Sequence, residues 1–152
     1  MFQSIMQSVF ITTIAIMILG LVVPVFFSST ANPNAQPGRY VIPISDATEV
    51  QQTLTLSYLE TLLRQKAPPL AETVLVAYGK GIYLLEDGHK YQDRLQALMQ
   101  NGLSCYVCAR SLAEIEARTG IPPLLQVGVQ HIANGQAYVE TLMDQGFVNT
   151  FA

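Results

Sequence analysis

Hydrophobic and polar positions divide this chain into two unlike parts. From Val9 to Phe27 the sequence reads VFITTIAIMILGLVVPVFF, and a helix built from it is apolar all round. From Arg39 onward short apolar blocks alternate with helical periodicity. Residues 39–45 (RYVIPIS) form a β-branched run that predicts a first strand, with Pro43 suggesting an edge position or a strand end. Asp46 is a candidate N-cap with Glu49 three residues on. Val50, Leu54, Tyr58, Leu59, Leu62 and Leu63 then recur at helical spacing, and Pro68-Pro69 stops that helix.

Thr73 to Tyr78 (TVLVAY) is nearly continuous in apolar residues, as suits a parallel strand covered on both faces. Gly79-Lys80-Gly81 turns the chain, and Ile82 to Leu85 begins a short apolar segment. Leu95, Leu98 and Met99 predict a helix over residues 91–100, closed by Asn101-Gly102. Leu103 to Cys108 (LSCYVC) is the next strand. Ser111 and Glu114 make a capping box for a helix that runs to Arg118 and closes at Gly120. Residues 125–132 contain another strand. Asn134 or Gly135 starts a last helix, with Tyr138, Val139, Leu142 and Met143 apolar, and residues 147–151 (FVNTF) form a final strand. This alternation predicts an α/β fold with three layers, a mostly parallel sheet flanked by helices.

Composition sharpens the division. Half the residues are hydrophobic and 12% are charged, yet all 8 Lys and Arg and all 11 Asp and Glu fall in residues 39–152. The expected organisation is therefore an N-terminal segment (1–31), a small polar linker (32–38) and one α/β domain (39–152). A helix over Val9–Phe27 would span about 28 Å, near the thickness of a bilayer's hydrocarbon core. The segment thus reads as a transmembrane anchor or a signal peptide. Ser29-Thr30-Ala31 offers a cleavage site, whereas the length of the apolar run and the absence of Lys or Arg before it favour retention. The favoured expectation is an exported domain, periplasmic or membrane-anchored and outside the cytoplasm; because flanking charge hardly orients the segment, a domain on the cytoplasmic side is the alternative. The net charge of −3 carries no basic stripe, so nucleic acid is not an expected partner.

Cys105 and Cys108 form a C-x-x-C, the first lead to chemistry. No second pair completes a zinc site, and His89 and His131 lack ligand spacing, so neither metal nor another cofactor is expected. In an extended strand the two Cα atoms lie about 10 Å apart, too far for a disulfide unless the strand ends at Cys105. Alternation puts Leu103, Cys105 and Val107 on one face and Ser104, Tyr106 and Cys108 on the other. Cys105 then reads as a small buried hydrophobe and at most a secondary thiol. Cys108 stands at the carboxyl end of its strand just before a helix, where ligands bind in open α/β sheets. A helix N-terminus, and Arg110 if it folds back, would favour its thiolate. Gly79, Lys80 and Gly81 occupy a similar strand end and are candidates for an anion-binding nest together with Arg110, although most such turns are only tight turns.

The order of these segments resembles the DsrE/DsrF-like family over nearly all of residues 39–152. The resemblance rests on Gly79–Leu85 (GKGIYLL), on Tyr106–Leu112 (YVCARSL) and on Gly146-Phe147 after an amphipathic helix. It implies a three-layer α/β fold, frequent homo-oligomers, and, at the position of Cys108, the cysteine that carries sulfur as a persulfide in the sulfur-relay members. Tyr78 stands where many members place a His before the first glycine. Three readings follow: a sulfur carrier or transferase that exchanges persulfide sulfur with a partner thiol, a non-catalytic oligomeric binding module, and a redox dithiol.

Overall fold

The computed structural model describes residues 34–36, 38–65 and 72–151. The apolar N-terminal segment with its cleavage site and the Pro68-Pro69 stop lie outside the described residues. Among those described, no helix is long and apolar enough to cross a membrane.

The domain is an α/β fold with five parallel strands. In chain order they are β1 (Tyr40–Ile44), β2 (Thr73–Ala77), β3 (Ser104–Cys108), β4 (Gln130–Ile132) and β5 (Val148–Asn149). Their order across the sheet is β4-β3-β2-β1-β5. The helices are α1 (Glu49–Gln65), α2 (Gln92–Gln100), α3 (Ala109–Thr119) and α4 (Gly135–Asp144), with a 3-10 segment at Gly79–Leu85. All five residues of β2 are buried, which is why its sequence does not alternate.

Successive side chains on the strands feed two separate cores. Ile42, Ile44, Leu75, Ala77, Cys105 and Val107 meet Leu56, Leu59 and Leu62 of α1, Ile82, Leu84 and Leu85 of the 3-10 segment, and Leu95, Leu98 and Ile115. On the opposite face Val41, Val74 and Val76 meet Val139 and Leu142 of α4, together with Phe147. Burying each of these Leu or Ile side chains contributes about 1.5–3 kcal/mol.

Several expected boundaries move, each for a local reason. Asp46 is not the cap of α1: its carboxylate accepts from the Thr48 amide at 3.1 Å and hydroxyl at 3.2 Å, making a turn ahead of the helix. Val50 and Leu54 are 69% and 54% exposed, because the buried stripe of α1 runs through Gln52, Thr55, Leu56, Leu59 and Leu62. The residues after Gly79 wind into a 3-10 segment, and a Cβ on Gly81 would come within 2.1 Å of the Ile44 carbonyl oxygen. β4 is confined to three residues, since Gln126 upstream is tied by its amide to Leu85 O at 2.9 Å. β5 keeps two residues: the Asn149 side chain accepts from the Phe151 amide at 3.1 Å and turns the chain off the ladder. α2 ends as expected, with Gly102 at φ 104° and the Gly102 and Leu103 amides bonded back to Met99 and Leu98.

Candidate functional site

Cys108 is the last residue of β3 and the N-cap of α3. The helix therefore starts at Ala109, two residues before the expected capping box at Ser111. Ser111 instead sits in the first turn, where its Oγ accepts the Gly79 amide at 2.9 Å. Two further segments close on the same spot. One is Tyr78, just after β2. The other is the start of α4, capped by Asn134, whose Oδ1 accepts the amides of Gln136 and Ala137 at 3.1 and 3.2 Å. Together Tyr78, Cys108, Arg110, Ser111, Glu114, Asn134 and Gln136 line a cleft of about 210 Å³ at the carboxyl edge of the sheet. Gly135 lets it form: a Cβ there would lie 3.0 Å from Tyr78 Cβ and 3.2 Å from Cys108 Cβ.

Cys108 is 3% exposed and faces this cleft. Its thiol points toward the Ala133 carbonyl at 3.9 Å. Desolvation pushes the thiol pKa up, but the Ser111 hydroxyl and the amides of Gly135, Ser111 and Arg110 outweigh it and hold the thiol below its ordinary value. No amide makes a close, straight cap bond to the sulfur; these donors act as looser polar neighbours at the ends of two helices. The arrangement suits a nucleophilic thiolate.

Cys105 is its opposite. It is fully buried in the larger core, and burial pushes its pKa up to about 12. Both cysteines are free. β3 stays extended through Cys108, which leaves the two thiols on opposite faces of the sheet, so the strand would have to break for a disulfide to close.

The remaining candidates divide. Arg110 lines the cleft but pairs with Glu114 at 3.2 Å on the exposed side of α3. Lys80 is exposed and does not line the cleft. The nest is weakened by its own hydrogen bonds: the Gly79 amide is committed to Ser111, and the Gly81 amide donates to Tyr78 O at 3.0 Å. His89 Nδ1 accepts the Tyr91 amide at 3.2 Å, and His131 lies exposed on β4. Among the described residues no three His, Cys, Asp or Glu come together as metal ligands. Two larger hollows lie elsewhere, about 500 Å³ beside Met99 and Val127 and about 360 Å³ beside Ile115 and Leu124. Neither sets a cysteine against a helix N-terminus, as the smaller cleft does.

The sequence left Asn134, Gly135 and Gln136 unmarked as site residues, because nothing in it aligns the ends of β3 and β4. Ser111 reads there only as a helix cap; the signal that would have paired it with Cys108 is the C-x-x-S across a strand–helix junction, which places the two side chains one turn apart.

Residues 25–145 match the DsrE/DsrF-like family. The chain belongs to that family. No curated protein matches it. Among solved structures it is similar to MTH1491, a protein of unknown function from Methanobacterium thermoautotrophicum. The two share 20% identity and a TM-score of 0.63 over 73% of this chain and 96% of that one. At this identity the likeness shows the common α/β fold.

Proposed function

We propose that this DsrE/DsrF-like protein is a sulfur carrier whose acceptor is the Cys108 thiolate. The thiolate attacks the outer sulfur of a donor persulfide, R–S–SH. The donor S–S bond breaks, a new S–S bond forms on Cys108, and R–S⁻ leaves, so the step needs no external oxidant or reductant. A second thiolate then takes the outer sulfur from Cys108 in the same way. The observation that carries this reading is the thiol's position between the N-termini of α3 and α4, with its pKa held below the ordinary value.

The apolar run Val9–Phe27 supports export of the domain, either tethered by that segment or released from it. The family resemblance supports assembly into homo-oligomers, with a partner protein's thiol as donor or acceptor. The test is sulfane sulfur on the full chain, held in mild detergent, after exposure to a small-molecule persulfide. Wild type and Cys105→Ser should each gain one cyanide-labile sulfur per chain, and Cys108→Ser none. Equal labelling of wild type and Cys108→Ser would sink the proposal, and no uptake at all would leave a binding module.

A further inference from the structure

Three of the helical hydroxyls among the described residues share one hydrogen-bonding pattern that Ser111 does not show. Thr61, Thr119 and Thr141 each donate to the carbonyl four residues back, at 2.8, 2.8 and 2.9 Å. That is the default for such side chains inside a helix. Ser111, 7% exposed, accepts a hydrogen bond from outside its own helix, the Gly79 amide at 2.9 Å. The direction of that amide is set by the fold. Gly79 has φ +54°, and a Cβ there would lie 3.2 Å from Ser45 O, so the turn favours glycine.

A hydroxyl has one proton and two lone pairs. With the Gly79 N–H directed at the oxygen, the proton turns away from the turn. Ser111 stands three residues after the N-cap Cys108, the spacing at which two side chains share one side of a first helical turn. Its side chain and the Cys108 thiol line the same cleft, and its hydroxyl is among the groups that lower the thiol pKa.

We infer that Ser111 is a positioning residue for the Cys108 thiol: the Gly79 amide orients its hydroxyl so that the proton faces the sulfur. The inference rests on Cys108 being the sulfur acceptor and gives the Gly79-Lys80-Gly81 turn a role other than anion binding. The hydroxyl stabilises the attacking thiolate, and again stabilises Cys108 as the leaving thiolate when its outer sulfur moves on. The titratable or charged groups lining the cleft around this pair are Tyr78 beyond β2 and Arg110 and Glu114 on α3, the last two paired with each other. The α4 side contributes the neutral Asn134 and Gln136.

The test is the pH midpoint of Cys108 alkylation by iodoacetamide in the full chain, read by peptide mass mapping between pH 5 and pH 10. Ser111→Ala should raise the midpoint by about half to one unit and slow alkylation at neutral pH about three- to tenfold. Ser111→Thr, which keeps the hydroxyl, should restore the wild-type midpoint. Ser111→Asp keeps an acceptor for the Gly79 amide but supplies no proton, and should raise the midpoint at least as far as alanine does; it decides the matter if the alanine variant does not fold. A wild-type midpoint below the ordinary thiol value with unchanged midpoints in Ala and Asp would overturn the role of Ser111 alone. A Thr variant shifted as far as Ala would also overturn it. A wild-type midpoint at the ordinary thiol value would overturn the sulfur-acceptor reading and this inference with it.

Discussion

Cys105 and Cys108 lie on one five-residue strand, yet the fold gives them opposite surroundings. An odd number of steps along an extended strand sends side chains to opposite faces. Cys105 faces the larger core beneath α1 and α3, among its apolar side chains, with a pKa pushed up to about 12. Cys108 faces the other side, at the end where β3 becomes α3 and α4 begins, and its pKa is lowered. Both residues are almost fully buried. The difference shows that burial alone does not set a thiol's acidity: what fills the shell around the sulfur does.

The sharpest way to break this comparison is to exchange each thiol for a hydroxyl. Cys108→Ser should abolish thiol alkylation and sulfur uptake while leaving the melting temperature within about 2 °C of wild type. Cys105→Ser should do the reverse: uptake stays, and stability falls by about 1–3 kcal/mol because a hydroxyl is buried among apolar groups. Denaturant melts of the two variants, read beside the alkylation assay, check both outcomes.

Gly135→Ala should come next in size. Its Cβ would press on Tyr78 and Cys108, so the start of α4 must move away from the sulfur. Cys108 alkylation should slow several-fold with Cys105 unaffected, as site-resolved mass mapping would show. An unchanged rate would mean that α4 contributes nothing to the thiol.

The two thiols should also pull stability in opposite directions with pH. A depressed folded pKa at Cys108 gives stability that is present above the unfolded thiol value of about 9 and is lost as pH falls through the folded value. The raised pKa of Cys105 gives stability that is present below about 9 and is lost between there and about 12. Cys105→Ala should therefore flatten the alkaline fall in stability, and Cys108→Ala should flatten the rise that leads up to it. Urea melts across that range measure both slopes.

The smallest effects belong to the surface charges. Lys80→Gln should leave Cys108 alkylation within about twofold of wild type. Arg110→Gln should slow it by no more than about threefold, with the difference vanishing in high salt, because the Arg110–Glu114 pair is exposed.

The two faces were legible in the sequence because strand alternation alone assigns Cys105 and Cys108 to them. The parallel sheet was legible in the buried run Thr73–Ala77 and in the order of strands and helices. The junction was read less well. Ser111 and Glu114 match a capping box, but the β3 backbone passes directly into α3 at Cys108, so Ser111 is left to bind the Gly79 turn across the cleft. Contacts of that kind join residues 32 positions apart, and no local pattern encodes them. The same holds for Gly135, whose requirement for glycine comes from Tyr78 and Cys108, side chains far from it in the sequence. Val50 and Leu54 misled in the other direction: they keep helical spacing but lie off the stripe that α1 buries.

The most direct measurement is the alkylation of both cysteines in one folded sample of the full chain, resolved by mass mapping at neutral pH. Cys108 should react at least about a hundredfold faster than Cys105, which should label only as the protein unfolds. Comparable rates at the two sites, or a Cys108 that reacts only after unfolding, would contradict the assignment of the helix-end thiol as the reactive one.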